Sequence, residues 1–414
     1  MLRKVSLLIL VVMFAAGVVQ AQGPGQAGSD GIGDPYFPKM GNGGYDALHY
    51  TLDLAADVQS NMLSGTVTVE AQATEDLSSF NLDFTGFEIS AVTLGGQPVN
   101  YDRQDGELII GPLDPPLASG QNITLAVTYS GTPQGIDVSG IPLLLGWYNY
   151  GSGVFVASEP AGAAGWYPVN DHPLDKATYT FRITVPEPYV VAANGVLEDT
   201  LDNGDTTTYV WEMRQPMASY LATVDIDQFE LQTGEGPGGL PIRNYFPPDI
   251  ASLARKDFAQ VPEMIAFFED IFGPYPFDAY GVVVADAEFY FALETQSLSL
   301  FSRGWISGTG EVEIAVVHEL SHQWFGDSVS PASWKDVWLN EGFATYASWL
   351  WFEHTQGAEA LDYLVRQNYG DIASDQDSFY QMFTRDQMVA LMQQVDLTDR
   401  TYSPEVVAQF VRVL

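Results

Sequence analysis

His318-Glu319-Leu320-Ser321-His322 sets two imidazoles four residues apart with a carboxylate between them. On a helix, positions four apart share one face, so both rings can reach one metal ion. Glu319, beside His318, points to the side, where it can touch a metal-bound water rather than the metal. That pattern predicts a zinc hydrolase with the glutamate as general base. Catalytic zinc keeps three protein ligands and one open position, so a further ligand is required. Glu341 follows His322 after eighteen intervening residues, enough to finish the helix, turn at 326–331 and start a second helix. The rival reading is a chance match on a core helix. Against it, only 5 histidines occur in the chain, and two fall here with the right glutamate between them.

The stretch 317–347, VHELSHQWFGDSVSPASWKDVWLNEGFATYA, carries more than the metal motif. H-E-L-S-H-Q-W-F-G-D, followed by W-L-N-E-G-F-A at 338–344, resembles the gluzincin aminopeptidases of the aminopeptidase N type. The resemblance implies His318, His322 and Glu341 as ligands of one Zn2+ per chain and Glu319 as the base. Ala292-Leu293-Glu294-Thr295-Gln296 is similar to the family's exopeptidase signature, Gly-x-Met-Glu-Asn or Gly-Ala-Leu-Glu-Thr. It implies Ala292 and Glu294 at the substrate, with Glu294 pairing the free α-amino group. Without the resemblance, a lone Glu in a strand reads as an exposed charge. Phe291 stands at the signature's first glycine, where relatives let backbone approach the substrate closely. Glu159-Pro160 lies where relatives carry a Gln-Pro that contacts substrate. Tyr402 lies about where they place a tyrosine that stabilises the tetrahedral intermediate, a role that depends on hydroxyl reach to the oxyanion. The family follows that tyrosine with Gly-Ala, whereas Ser403-Pro404-Glu405-Val406 follows here, and a surface tyrosine is the other reading.

Composition narrows the class. The 414 residues are 46% hydrophobic, enough for two or more domains with real cores. Sixteen Lys and Arg stand against 53 Asp and Glu, for a net charge of −37. Phosphate or nucleic-acid binding needs basic patches that this chain lacks. A solvated acidic surface accounts for most of the charge, and an acidic cleft would attract a cationic peptide amine. Cysteine is absent, which excludes disulfides, a cysteine nucleophile, thiolate zinc ligands and a lipidated cysteine. Arg3 and Lys4 precede an uncharged apolar run at 5–19, and Val19-Gln20-Ala21 offers small residues where a signal peptidase reads. A spanning helix needs about 20 apolar residues. The expectation is therefore a signal peptide at 1–21 and an exported chain, secreted or periplasmic, with no stable membrane span after cleavage.

Residues 22–44, rich in Gly and polar residues, read as a flexible linker. From Tyr45 the chain alternates polar and apolar residues at 49–54, 65–70, 123–129 and 178–185, the signature of half-buried strands. His49 reads as a strand histidine and His172, between Asp171 and Pro173, as a structural hydrogen-bonding one. The block 166–195 also resembles the family's amino-terminal β domain. The glycines of GEGPGG at 234–239 mark a boundary by composition. Beyond it the apolar spacing predicts a helix over 250–272, a short strand at 281–285, a second strand over 289–300, and helices at 348–369 and 378–395. The fold class is α+β: a saddle-like antiparallel β-sheet domain at 45–233, then a thermolysin-like zinc domain at 234–414. Leu414 ends the sequence inside an apolar helical run, and the resemblance implies more chain beyond it, so the catalytic domain is expected to be incomplete. The expected activity is removal of the first residue from peptides with a free N-terminus. A zinc endopeptidase, which would lack the Glu294 anchor, and a catalytically silent peptide-binding relative are the alternatives.

Overall fold

The computed structural model describes residues 25–138, 141 and 144–374. The stretch 1–21, the helix expected at 378–395 and Tyr402 lie outside the described residues.

Alternation builds the first half. In Tyr45–Asp57 the buried side chains are Tyr45 and Ala47, then Tyr50, Leu52, Leu54 and Ala56. The parity changes because a bulge between Ala47 and His49 opposes two residues to one on the partner strand. His49 is left on the half-buried face, its two ring nitrogens 2.7 and 3.0 Å from the hydroxyls of Thr178 and Thr180. An eight-stranded sheet results, in the spatial order Val196–Asp202, Thr206–Met217, Ala177–Pro186, Tyr45–Asp57, Met62–Ala73, Asn122–Gly131, Glu88–Leu94 and Gln97–Pro98. It is antiparallel except at one seam. Tyr45–Asp57 and Ala177–Pro186 run parallel, because the chain returns beside its first strand after a long excursion. Two smaller sheets, of four and five strands, pack with it around a shared apolar core.

A fourth sheet, Glu230–Glu235, Pro241–Phe246, Tyr280–Ala285 and Ser299–Ser302, underlies the catalytic motif. Its first two strands form a hairpin, and the glycines at 234–239 make the turn between them. The expected helix at 250–272 is two helices, α1 (Ala251–Asp257) and α2 (Val261–Phe272). Pro262 in the first turn of α2 has no N–H to extend the preceding helix. Asp257, at the end of α1, accepts hydrogen bonds from the amides of Ser307, Gly308 and Gly310 at 2.8–2.9 Å. Three further helices follow: α3 (Glu313–Ser321), α4 (Trp338–Gln356) and α5 (Ala358–Ser374). Gly357, at φ 91°, divides the helix expected at 348–369 into α4 and α5.

Two other expectations are corrected. Of the strand expected at 289–300, only its end is a strand, Ser299–Ser302. Ahead of it the chain doubles back, Leu293 bridging Leu300, with Ser297 at φ 68° and its amide donating to Gln323 Oε1 at 2.7 Å. The described part of the expected linker, 25–44, is packed rather than flexible. Gln26–Ala27 pairs with Leu77–Asp83, Asn42 is buried with its side chain donating to Asp83, and Gly41, at φ 67°, lies so close to His172 that a Cβ would collide with its ring stem. Glycine content there reflects close approach, not looseness. Among the described residues no helix is long and apolar enough to cross a membrane.

Gly281 faces Arg243 across the parallel pair at the centre of the fourth sheet, and a Cβ there would run into the Arg243 carbonyl. Gly281→Ala should therefore destabilise the protein by about 1–3 kcal/mol, read as a lowered urea midpoint. An unchanged midpoint would show that the two strands can part without cost.

Candidate active site

α3 and α4 pack side by side, and the motif histidines face the start of α4. His322 caps the C-terminal end of α3, and its Nδ1 lies 2.9 Å from the carbonyl of Phe325. That carbonyl can only accept, so Nδ1 carries a proton and Nε2 faces the site, where it offers a lone pair when the ring is neutral. His322 Nε2 is 3.0 Å from His318 Nε2, and Glu341, from the first turn of α4, places Oε2 3.2 Å from His318 Nε2 and Oε1 3.6 Å from His322 Nε2. Two imidazole nitrogens and one carboxylate thus converge within 4.8 Å of one another. An N2O donor set of this kind fits a tetrahedral divalent cation of the zinc type.

Three more carboxylates surround this point. Glu294 and Glu319 each bring an oxygen within the same 4.8 Å of His322, and Glu159 joins Glu294 and Glu341 in a second group of that size. The sequence reading named all of these, and the fold brings them together. Burial pushes Glu319 well above the usual carboxylate range, and nearby Glu294 and Glu341 push the same way. Burial lifts Glu159 likewise, with Glu294 and Glu341 adding to it. Burial alone would hold His322 down, but Glu341 and Glu294 beside it prevail and raise it. Glu341 is itself driven the other way: burial works against its ionisation, yet His322 and His318 hold it below the ordinary range. The pocket therefore calls for positive charge.

Glu294 is 3% exposed, not the exposed charge its surroundings in sequence would suggest. The hydroxyl of fully buried Tyr220 donates to its Oε1 at 3.3 Å. Gln323 holds the same segment from below: its Nε2 donates to the Glu294 carbonyl at 3.0 Å while its Oε1 accepts from Ser297 N and from Tyr275 OH. Asp327, buried with neither carboxylate oxygen hydrogen-bonded, lies close enough to Glu294 to be raised by it as well as by burial. Tyr220, Gln323 and Asp327 were missed by sequence reasoning. Gln323 and Asp327 stand inside the H-E-L-S-H-Q-W-F-G-D run, but nothing in their spacing signals these contacts, and Tyr220 lies in a different half of the chain. Ala292 is half-buried just ahead of Leu293 and Glu294. Phe291 packs on Phe289, ring centroids 4.7 Å apart, and Phe289 stacks on Phe155 at 4.6 Å. Phe291 is thus tied into an aromatic row shared with the strand Val154–Ala157, which leads to Glu159.

Residues 46–221 match the peptidase M1 N-terminal domain and 257–405 the peptidase family M1 domain. The chain is 27% identical over 330 residues to aminopeptidase B of Mus musculus, covering 73% of this chain and 49% of that protein. It is 27% identical over 343 residues to the thyrotropin-releasing hormone-degrading ectoenzyme of Homo sapiens, covering 76% and 31%. The chain thus spans half or less of the length of these relatives. Among solved structures, an M1 zinc metallopeptidase from Deinococcus radiodurans superposes with a TM-score of 0.74 at 33% identity, covering 83% of this chain and 78% of that one. Structures of that protein include a complex with a Tyr-Ser-Ala substrate. Yeast LTA4 hydrolase shares the fold, with a TM-score of 0.67 at 22% identity, over 81% of this chain and 52% of that one.

The converging donors predict about one zinc per chain. His322→Ala should lose the metal, measured by elemental analysis after dialysis, whereas Glu319→Gln should keep it. Full metal retention in His322→Ala would refute the ligand assignment.

Proposed function

The chain belongs to peptidase family M1, and on that premise we propose that it is an exported aminopeptidase that hydrolyses the first peptide bond of peptides with a free N-terminus. The observation that carries this reading is the carboxylate pair Glu159 and Glu294, within 4.8 Å of each other and of Glu341. A fixed anion of that kind beside the metal point can take a protonated α-amine, and a chain terminus is the part of a peptide that brings one. The Tyr-Ser-Ala substrate held by the Deinococcus radiodurans relative is a short peptide of the kind the reading requires.

His318, His322 and Glu341 would hold the zinc. Zn2+ is the cofactor, and when bound it polarises the scissile carbonyl and lowers the pKa of its water to about 7. Glu319 takes a proton from the attacking water onto its carboxylate and passes it to the leaving amine. Its burial suits it to hold that proton between the two steps. Glu294, steadied by Tyr220 and by Gln323 below it, fixes the substrate amine and so sets which bond meets the water. Glu159 shares the amine, and Ala292 lies along the substrate. Tyr402 supports the oxyanion. A signal peptide at 1–21 directs the chain out of the cytoplasm.

Two measurements test this reading. Glu319→Gln should retain zinc yet lose turnover by a factor of at least about 100, the scale of a lost general base; parental turnover would remove Glu319 from that role. A charge-assisted contact between amine and carboxylate is worth about 1.5–3 kcal/mol. Glu294→Ala should therefore lower kcat/KM for free-amine substrates by about 10- to 150-fold, with zinc content unchanged. Acetylated peptides should be poor substrates of the parent and be penalised much less by the substitution. Equal cleavage of free and acetylated peptides by the parent would overturn the aminopeptidase reading in favour of an endopeptidase, and absence of hydrolysis with zinc bound would favour a silent peptide-binding protein.

A further inference from the structure

We propose that Asp34, on the N-terminal arm 25–44, is a positioning residue for the amine end of the substrate, acting through Trp334 and Tyr220 on Glu294. The inference rests on the aminopeptidase reading. The arm precedes the region matched by the M1 N-terminal domain, which begins at residue 46.

Asp34 is 4% exposed and gathers five donors. Its Oδ1 accepts the amides of Tyr36 at 2.8 Å and Phe37 at 3.0 Å, closing the turn around Pro35. Its Oδ2 faces His172 Nε2 at 3.2 Å, the Ser333 hydroxyl at 2.7 Å and the Trp334 amide at 2.8 Å. The amide of Leu174 donates to His172 Nδ1 at 3.0 Å, so the imidazole proton sits on Nε2 and is donated to Asp34. One carboxylate thereby joins the arm, the loop that leads into Ala177–Pro186, and the segment between α3 and α4. Burial would raise Asp34, but these hydrogen bonds outweigh it and hold the group below its ordinary range, so it stays an acceptor.

What lies behind Trp334 makes this more than a staple. The indole is 2% exposed and its Nε1 has no hydrogen-bond partner. Its ring contacts Phe37, at 6.2 Å, and Tyr220, at 5.2 Å, edge-on to both. Asp34 therefore holds the Trp334 backbone amide, and Phe37 of the same arm packs edge-on against the indole that also meets Tyr220. The Tyr220 hydroxyl is the donor to Glu294. If Trp334 moves, Tyr220 is free to tilt, and the carboxylate that takes the substrate amine loses its orientation. The zinc ligands on α3 do not pass through this route, and Glu341 on α4 is held by its own contacts with His318 and His322; zinc content is measured alongside to separate an effect on Glu294 from one on Glu341.

The test is a double-mutant cycle in the full-length, zinc-loaded protein, using Asp34→Asn and Glu294→Ala. Asparagine keeps one acceptor oxygen but turns an amide donor toward donors. Asp34→Asn alone should raise KM for a free-amine aminoacyl amide by about tenfold with kcat changed less than about threefold, and zinc should stay at one per chain. In the Glu294→Ala background the same substitution should cost less than about twofold, because the route it acts through is gone. Hydrogen exchange at the Trp334 amide should quicken while the core of the eight-stranded sheet is unchanged. If Asp34→Asn fails to fold, Ser333→Ala, which removes a single donor, should show the same dependence on Glu294 at smaller amplitude. Equal costs in both backgrounds, or unchanged KM with quickened exchange at Trp334, would overturn the proposal and leave Asp34 a purely structural residue. A parent without preference for free amines overturns the aminopeptidase reading, and this inference with it; a parent that keeps the preference but shows equal costs overturns only the role of Asp34.

Discussion

Four buried or half-buried carboxylates crowd two imidazoles, and that concentration of negative charge is the constraint on which the rest of the structure depends. Unscreened like charges at such separations repel strongly once water is excluded, and each carboxylate also loses hydration. The fold answers with hydrogen bonds and with carboxyls held above their ordinary range at Glu159, Glu294 and Glu319, and a divalent cation would relieve the remaining charge. His322 and Glu341 are the first line of that answer, pulled in opposite directions by the same pairing. The Tyr220 hydroxyl and the Gln323 amide are the second. The site is thus unstable toward negative charge and receptive to positive charge, as the proposed reading requires.

The scaffold follows from holding these groups at fixed separation. α3 and α4 are joined by a turn that brings Glu341 back over the two histidines, and Gly326, at φ 128°, packs against the His322 ring. Ser321 secures the crossing, its hydroxyl 2.8 Å from the His318 carbonyl and 3.4 Å from that of Ala344 on α4. The central sheet then delivers Glu294 on a loop whose geometry Ser297 and Gln323 dictate. The β half contributes Glu159 at the end of a buried strand and Tyr220 in a 3-10 turn. No single half carries a complete site.

What was legible in the sequence was what has a period. Helical spacing places His318 and His322 on one side of α3, and strand alternation yields the first sheet even where the bulge at Ala47 shifts its parity. Glu294 could be picked out only by resemblance, since FYFALET alternates like a strand while its backbone is turned by a contact from Gln323. The arm reads as loose because glycine and proline signal both looseness and close approach, and only contacts with distant residues, such as Asn42 with Asp83 and Asp34 with Ser333, distinguish the two. Tyr220, Asp327 and Trp334 are ordinary residues locally. Their roles arise from partners far away in the chain, which no local pattern encodes.

The parallel seam between Tyr45–Asp57 and Ala177–Pro186 governs the order in which the chain can fold. Tyr45–Asp57 finds Met62–Ala73 through a short turn, but its other edge stays open until the whole intervening segment has been made and returned. Asp34 waits longer still, for Ser333 and Trp334 near the far end of the described chain. Such distant pairings fold slowly, because loop closure precedes any contact that rewards it. During that interval the nascent protein presents an unpaired edge of its largest sheet, the kind of surface that pairs with other chains. In the finished molecule Ala177–Pro186 closes that edge.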